Sequence, residues 1–541
     1  VQMRLGAIPS ASPLVYPLRW NPSTDTLEVM QDFLVYLSHD LGATTSEPLT
    51  LETYRRARNE FLNWSVVERY FAPDLRHFNG RFLFVYPQEL RPQLTPLMDQ
   101  KRARGYLVSE ISLEEIGATN CADIRSAIAT WYGEGSPSMD HYCLLVGDTD
   151  RIPLCNSPFT SAGTVPTDDL YASVGGDDLN EEIYLGRLSV DDAAELENQV
   201  GKILRYEDGY VFSWQADHAV LVAHRENAPG KYEGAHESVR TATYADPPTF
   251  ITRYGSAGWT DADVSDLIDE GVGVVAYRGH GDSDAWTGWN TLGEYYDSGD
   301  VLGLVNGSRT PVVWSFACTN QNLDAEECVG EVWMEHVDEG ASAHYGATVP
   351  SYTTQNHELD RAMFKATYDT GLGKISHIID AAEQQMAAVV GPDNAWMYLL
   401  LGDPDMDVRT QPTPGWVLIA PETVAPCEAA PCFLEFRVVD LFGNPIPEVL
   451  VSAWKPAAAG KAGEEVFDNG YTGSDGRVLV RADAVSEGAI TVWGRDLNGE
   501  SQSETVQVAA GTAAGPLETR IALRPAPSVM STRTVFHFGR S

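Results

Sequence analysis

Two short apolar runs constrain this chain most: GVGVVAYRGHG over 271–281 and TPVVWSFACTN over 310–320. Both are rich in Val and bounded by turn residues, which reads as strands buried on both faces of a parallel sheet. Such a sheet needs helices on its faces, so the expected class is α/β. In open sheets of this kind, functional groups gather beyond the carboxyl ends of the strands. His280 follows one run and Cys318 the other. A thiol and an imidazole are therefore expected in one crevice.

The surrounding pattern agrees. From about residue 80, strand-like FLFVYP, YLVSEIS and YCLLVGD alternate with helical PQLTPLMDQKRARG and ADIRSAIATWYGEG. The segment 181–207 supplies an edge strand and a long amphipathic helix, and a second α/β set runs from HAVLVAHRE at 218–226 to WMYLLLGDPDMDV. After about 411 the helical period disappears. Short strands separated by Gly, Asn and Asp turns (LFGNP, TGSDG, DLNGE) predict a β-sandwich of roughly one hundred residues. The expected division is a β-rich segment over 1–78, two α/β subdomains over 79–207 and 208–411, the sandwich over 412–525, and a tail over 526–541. Within the first segment, LETYRRARNEFLNWSVVERYF reads as helical.

Composition excludes some functions. A formal charge of −40, from 77 acidic and 37 basic residues, argues against a nucleic-acid partner. No apolar run approaches the roughly 18 residues of a membrane helix. The chain begins with Val1, so any targeting segment is expected to have been removed or left out. Of the seven cysteines, Cys427 and Cys432 flank a short loop and form a candidate local disulfide. Cys121, Cys143 and Cys155 lie in or beside apolar segments, where small buried hydrophobes are the commoner outcome. Cys318 is the candidate free thiol, ahead of Cys328.

A thiol nucleophile needs an imidazole to manage protons and backbone donors for the tetrahedral oxyanion. The N–H groups of Cys318 and Gly281 are candidates for the latter, and glycine at 281 lets a carbonyl approach the backbone. Imidazole titrates near neutrality, which suits a general acid. On residue types alone, an ordinary loop His and an ordinary buried Cys remain the commoner reading. No Cys-x2-Cys pair or zinc-helix spacing of His appears.

YRGHG followed by SFACTN, with CVGEVWM soon after, closely resembles the gingipain family of caspase-like cysteine peptidases. YCLLVGDTDRIP, TDDLY, IYLGRLSV, KILRYE and LLLGDPDMDV resemble further segments of that family in the same order, over roughly residues 80–410. The resemblance implies a caspase-like catalytic domain in two subdomains followed by an immunoglobulin-like sandwich. It implies Cys318 as nucleophile, His280 as general acid/base, and Glu226 as the carboxylate behind the imidazole. It further implies cleavage after Arg or Lys, with Glu233 at the base of the pocket and Tyr352 covering it; Glu237 is the alternative if the register shifts. Ala276 and Gln321 depart from the family pattern, which has Asn and Gly there.

For cofactors, the expectation is none for catalysis and a structural Ca2+ on Asp148, Asp178, Asn180 and Glu182, whose alternating oxygens in DDLNEE suit a hard cation. A merely solvated acidic loop is the equal alternative. The first seventy-odd residues resemble the end of a gingipain prodomain, with Arg55, Arg56 and Arg58 as candidate self-cleavage points. Protein or peptide substrates, no nucleic acid, no membrane span and a secreted or surface location complete the expectation. Oligomeric state is left open. Two rivals stand beside it: a sortase-like transpeptidase of the same family, and a surface adhesion protein with a degenerate protease domain.

Overall fold

The computed structural model describes residues 79–510, apart from 118, 136–138, 159, 177, 180, 209–216, 326, 370–371, 411–414, 459–462 and 497–500. Before these it describes residues 2–5, 8–11, 18–21, 23, 26–29 and 57. In the N-terminal segment Gln2–Leu5 pairs with Ile8–Ala11, and Leu18–Asn21 with Thr26–Val29, as two antiparallel ladders. The helix expected over LETYRRARNEFLNWSVVERYF and the candidate cleavage points Arg55, Arg56 and Arg58 lie outside the described residues, Ala57 excepted.

A ten-stranded sheet organises the α/β part. Its strands are β1 (Gly80–Tyr86), β2 (Tyr106–Ser112), β3 (His141–Val146), β4 (Tyr184–Leu188), β5 (His218–Ala223), β6 (Thr249–Tyr254), β7 (Val274–Arg278), β8 (Val312–Phe316), β9 (Ala343–Ala347) and β10 (Tyr398–Leu401). They lie in the order β6-β5-β7-β8-β9-β10-β4-β3-β1-β2. Every neighbouring pair is parallel except β9 and β10. The two expected subdomains thus share one sheet and meet at the parallel pair β4–β10, while the single antiparallel seam, β9–β10, falls within the second. Gly186 is needed at that β4–β10 junction, because a Cβ there would stand 2.3 Å from the Gly402 carbonyl oxygen.

The apolar runs form strands because both faces are covered. Val274, Ala276, Val312 and Trp314 enter one core, while Val275, Tyr277 and Val313 enter another on the opposite face. That is the period of two expected of a strand buried twice. A third core, around Phe82, Phe84 and Tyr142, backs the other half of the sheet. The helices used below are α1 (Arg91–Ala103), α2 (Ala193–Asp208), α3 (Tyr232–Arg240), α4 (Thr353–Tyr368) and α5 (Ile375–Val390).

Beyond residue 415 two sheets face each other over one apolar core that includes Trp416, Phe436, Val451 and Val492. One sheet holds Trp416–Ile419, Phe433–Asp440 and Arg477–Arg481. The other holds Thr423–Val424, Ser501–Val508, Gly488–Arg495, Leu450–Pro456 and Glu464–Tyr471. The Cys427–Cys432 disulfide is present as expected. Cys121 and Cys155 correct the sequence reading: they form a second disulfide, and only Cys143, Cys318 and Cys328 are free. No described helix is long and apolar enough to cross a membrane.

Candidate active site

Strand register brings the site together. Ala223 of β5 stands opposite Arg278 of β7, and Arg278 opposite Phe316 of β8. Residues two or three positions past these ends therefore emerge at one edge, and they are Glu226, His280 and Cys318. The two loops touch: a Cβ on Gly281 would lie 2.8 Å from the Cys318 carbonyl and from both polar atoms of the Asn320 amide. Only glycine fits.

His280 directs Nε2 at the Glu226 carboxylate, with the Tyr232 hydroxyl 3.4 Å away. Its side chain is 47% exposed, so the ring is open to a substrate. The backbone carbonyl of His280 accepts from the Tyr277 hydroxyl at 2.8 Å and from Thr287 N–H at 3.1 Å, which fixes the loop. Lys231 Nζ lies 3.0 Å from both oxygens of Glu226. Lys231 first, then His280, hold the Glu226 carboxyl below its usual range.

Cys318 is half-buried and donates its thiol to the Ser351 carbonyl at 3.7 Å. The next residue, Thr319, has φ +55°, an unusual conformation for a β-branched residue of the kind that clusters at functional sites. Asn320 then locks the turn. Its fully buried amide donates to the carbonyls of Asp282 (2.6 Å) and Ala285 (2.9 Å) and accepts from the Ser315 hydroxyl (2.7 Å). The amide N–H groups of Gly281 and Cys318 donate to no protein acceptor among the described residues, and Gly281 occupies the unbonded position of an isolated bridge with Trp286. Both are free to meet an oxyanion.

Beneath the site, the buried Arg278 guanidinium donates to the Phe316 carbonyl (2.8 Å), the Thr353 carbonyl (2.9 Å) and His357 Nδ1 (3.2 Å), tying β7, β8 and α4 together. His224 is a residue that sequence reasoning missed. Its Nδ1 accepts the Glu226 N–H at 2.9 Å, and its ring stands edge-on to His280 at 4.9 Å. Burial, then the neighbouring His280, pushes its pKa down to about 4. His224, Glu226 and His280 are close enough to share a metal ion. Lys231 on the carboxylate and the amide on His224 Nδ1 both oppose one. The motifs held weak signals for these partners: His224 is two residues before Glu226, and Asn320 two after Cys318.

The pocket candidates flank the pair. Glu233 follows Tyr232 on α3 and is buried, its carboxylate accepting the N–H and hydroxyl of Ser256 at 2.9 Å each. Tyr352 follows Ser351 at the start of α4, its N–H donated to Asn394 at 3.0 Å. Glu237 is engaged elsewhere, with Arg240 at 2.7 Å and the Tyr254 hydroxyl at 2.8 Å. Of the expected calcium ligands, Asp178 is exposed, Glu182 accepts the Gly175 N–H at 2.8 Å, and Asn180 lies outside the described residues. Asp148 stands apart from them, grouped with Asp150 and Asp191.

Comparison with known proteins agrees with this geometry. Residues 77–409 match the model of peptidase family C25. Gingipain R2 of Porphyromonas gingivalis is 24% identical over 358 residues, 63% of this chain and 46% of the relative. Lys-gingipain of the same species is 26% identical over 298 residues, 52% of this chain and 16% of the relative. The chain thus spans under half the length of these relatives. Among solved structures, the Arg-specific cysteine proteinase gingipain R superposes with a TM-score of 0.68 at 20% identity, covering 80% of this chain and 98% of that one. A complex of the pro- and mature domains of RgpB gives 0.67 at 19% identity, covering 80% and 100%. These two likenesses are of fold.

Proposed function

The chain belongs to peptidase family C25, the gingipain family of cysteine peptidases, and on that footing we propose that it hydrolyses peptide bonds after Arg or Lys. The observation that carries the reading is the strand register that sets Glu226-bound His280 beside the Cys318 loop. The Cys318 thiolate attacks the carbonyl carbon, and the Gly281 and Cys318 N–H groups hold the oxygen as it becomes anionic. His280 gives its proton to the departing amine. Water, deprotonated by the same imidazole, then releases the acyl group and the thiol.

Glu233, a buried carboxylate held by Ser256, is the candidate partner for the guanidinium or ammonium of a basic substrate. An extracellular location is supported by the two disulfides, which persist in oxidising compartments. The first 78 residues act as a prodomain-like segment cut by self-cleavage after Arg55, Arg56 or Arg58, and a calcium ion on Asp148, Asp178, Asn180 and Glu182 is structural, since the thiol chemistry uses no metal. Peptide fluorogenic substrates test the core of the reading. Arg and Lys substrates turn over, uncharged ones do not, and Cys318→Ala is inactive. Glu233→Gln lowers kcat/KM on basic substrates roughly 10- to 100-fold. Failure of a peptidyl-arginyl or peptidyl-lysyl chloromethylketone to label Cys318 in the folded protein would sink it. Identical fragmentation of wild type and Cys318→Ala by mass spectrometry would refute self-processing alone.

A further inference from the structure

Helix α3 packs on α4, and one polar pair stands between them: His236 of α3 and Asp360 of α4, both 0% exposed. His236 Nε2 lies 3.5 Å from Asp360 Oδ2. Neither ring nitrogen and neither carboxyl oxygen has a hydrogen-bond partner. Four bare polar atoms in one dry place are unusual, since buried polar groups are nearly always bonded.

Charge on either partner makes the arrangement worse. A carboxylate with both oxygens bare, or an imidazolium with both N–H groups bare, carries its full desolvation cost. The ring plane fixes where an imidazole N–H points, and no N–H of His236 meets Asp360. The surrounding charged and titratable groups are committed elsewhere. Arg278 of β7 is bonded to the Phe316 and Thr353 carbonyls and to His357, and Arg361 of α4 pairs with Glu358. On α3 itself, Glu233 is held by Ser256 and Glu237 by Arg240 and the Tyr254 hydroxyl of β6. The Tyr244 hydroxyl, just beyond α3, goes to the Val239 carbonyl. Burial pushes the Asp360 carboxyl up to about 7, although Arg278 and Arg361 pull it down. Burial, then Arg278 and His357, hold His236 well below the usual imidazole range. Both shifts favour the uncharged forms.

We propose that Asp360 keeps its proton up to neutral pH and, with His236, forms an uncharged latch that positions α3 on α4. The role of the latch rests on the peptidase reading, because α3 begins with Tyr232, 3.4 Å from His280 Nε2, and Glu233, the candidate partner of a basic substrate. Loss of the proton leaves a bare carboxylate near Arg278. The attraction draws the guanidinium from the Phe316 and Thr353 carbonyls, and the strand ends that carry His280 and Cys318 lose a tie. The latch therefore switches the site off on the alkaline side.

Unfolding of the whole chain in urea tests the latch without any substrate. An acid raised by folding contributes stability that is fully present below its unfolded value, about 3.9, and is lost as the pH rises through the folded one. Asp360→Asn keeps the shape and cannot ionise. Relative to that variant, the unfolding constant of wild type rises about tenfold per pH unit between about pH 4.5 and 6.5 and levels off above about 7.5. Asp360→Leu, the apolar isostere, gives the same difference. Parallel curves would show an ionised Asp360 and overturn the latch. So would failure of both variants to fold, because an uncharged latch tolerates an uncharged replacement. With a peptidyl-arginyl substrate, wild-type kcat/KM falls above about pH 7, and Asp360→Asn carries activity to higher pH. An alkaline limb that the variant leaves in place overturns the coupling to the site. Absence of turnover at every pH sinks the peptidase reading instead and leaves the unfolding result standing.

Discussion

The Glu226 carboxylate is shared between His280 and Lys231, and that sharing sets how the site responds to acid. A carboxyl held below its ordinary value keeps its charge, and its hold on the imidazole, down to a lower pH. Lys231 is the larger of the two causes. Lys231→Met therefore moves the Glu226 carboxyl back up, and the acid limb of the kcat/KM profile shifts to higher pH. The measurement is that profile between about pH 3 and pH 6, where carboxyls titrate. An unmoved limb would show that Lys231 does not tune the site. Glu226→Gln keeps the shape but loses the charge, and it lowers kcat by about 10-fold or more while KM changes little, because the imidazolium loses its support in the transition state.

At the scale of an element, the turn after β8 is held by one side chain. Asn320 supplies two donors to the loop after His280 and one acceptor to Ser315. Asn320→Ala leaves the Asp282 and Ala285 carbonyls and the Ser315 hydroxyl unpaired, at roughly 1–3 kcal/mol for each group that stays buried. Expected are a Tm lower by several degrees and a kcat that falls while chloromethylketone still labels Cys318. Asn320→Asp does not rescue, since a carboxylate cannot donate; rescue by Asp would show that volume alone matters. The strands and the Cys318–His280 pair were legible because a Val-rich run ending in a polar residue declares both its burial and its exit. Lys231 on Glu226 was not, since that contact depends on where α3 begins relative to β5. The antiparallel seam was equally hidden: Tyr398–Leu401 is as apolar as its parallel neighbours, and direction is set by the chain's path rather than by composition. The Cys121–Cys155 bridge links residues 34 apart, one at the start of a helix and the other in a short two-residue strand. No local pattern encodes that.

Across the whole molecule, a buried charge network joins the α/β part to the sandwich. Lys101 from α1, Arg104 just past its end, Lys374 and the sandwich residue Arg495 face Glu207, Asp403, Asp405 and Asp407. Arg495 Nε donates to Asp407 at 2.8 Å, and the Ser501 hydroxyl reaches the Glu207 carbonyl at the end of α2 at 2.9 Å. Burial alone would raise the Asp405 carboxyl, but Arg104, Lys101 and Lys374 outweigh it and hold it well below the usual range. Asp407 is likewise lowered, burial being outweighed by Arg495 and then Arg104. Glu207 goes the other way, pushed up by burial. A depressed carboxyl contributes stability that is fully present above its unfolded value, about 3.9, and is lost as the pH falls through the folded value. Asp407, paired with Arg495 of the sandwich, therefore holds the parts together at neutral pH and releases them only in strong acid. Removing one partner of such a buried pair costs roughly 3–5 kcal/mol, because the charge left behind is uncompensated. Arg495→Met strips Asp407 of the cation that comes from the sandwich while keeping the bulk of the stem. The expected calorimetric result at pH 7 is that one unfolding transition separates into two, the sandwich melting apart from the α/β sheet. In wild type the same separation appears only on acidification below about pH 4. A variant that keeps a single transition at the wild-type temperature would mean that apolar packing, not this network, couples the two parts.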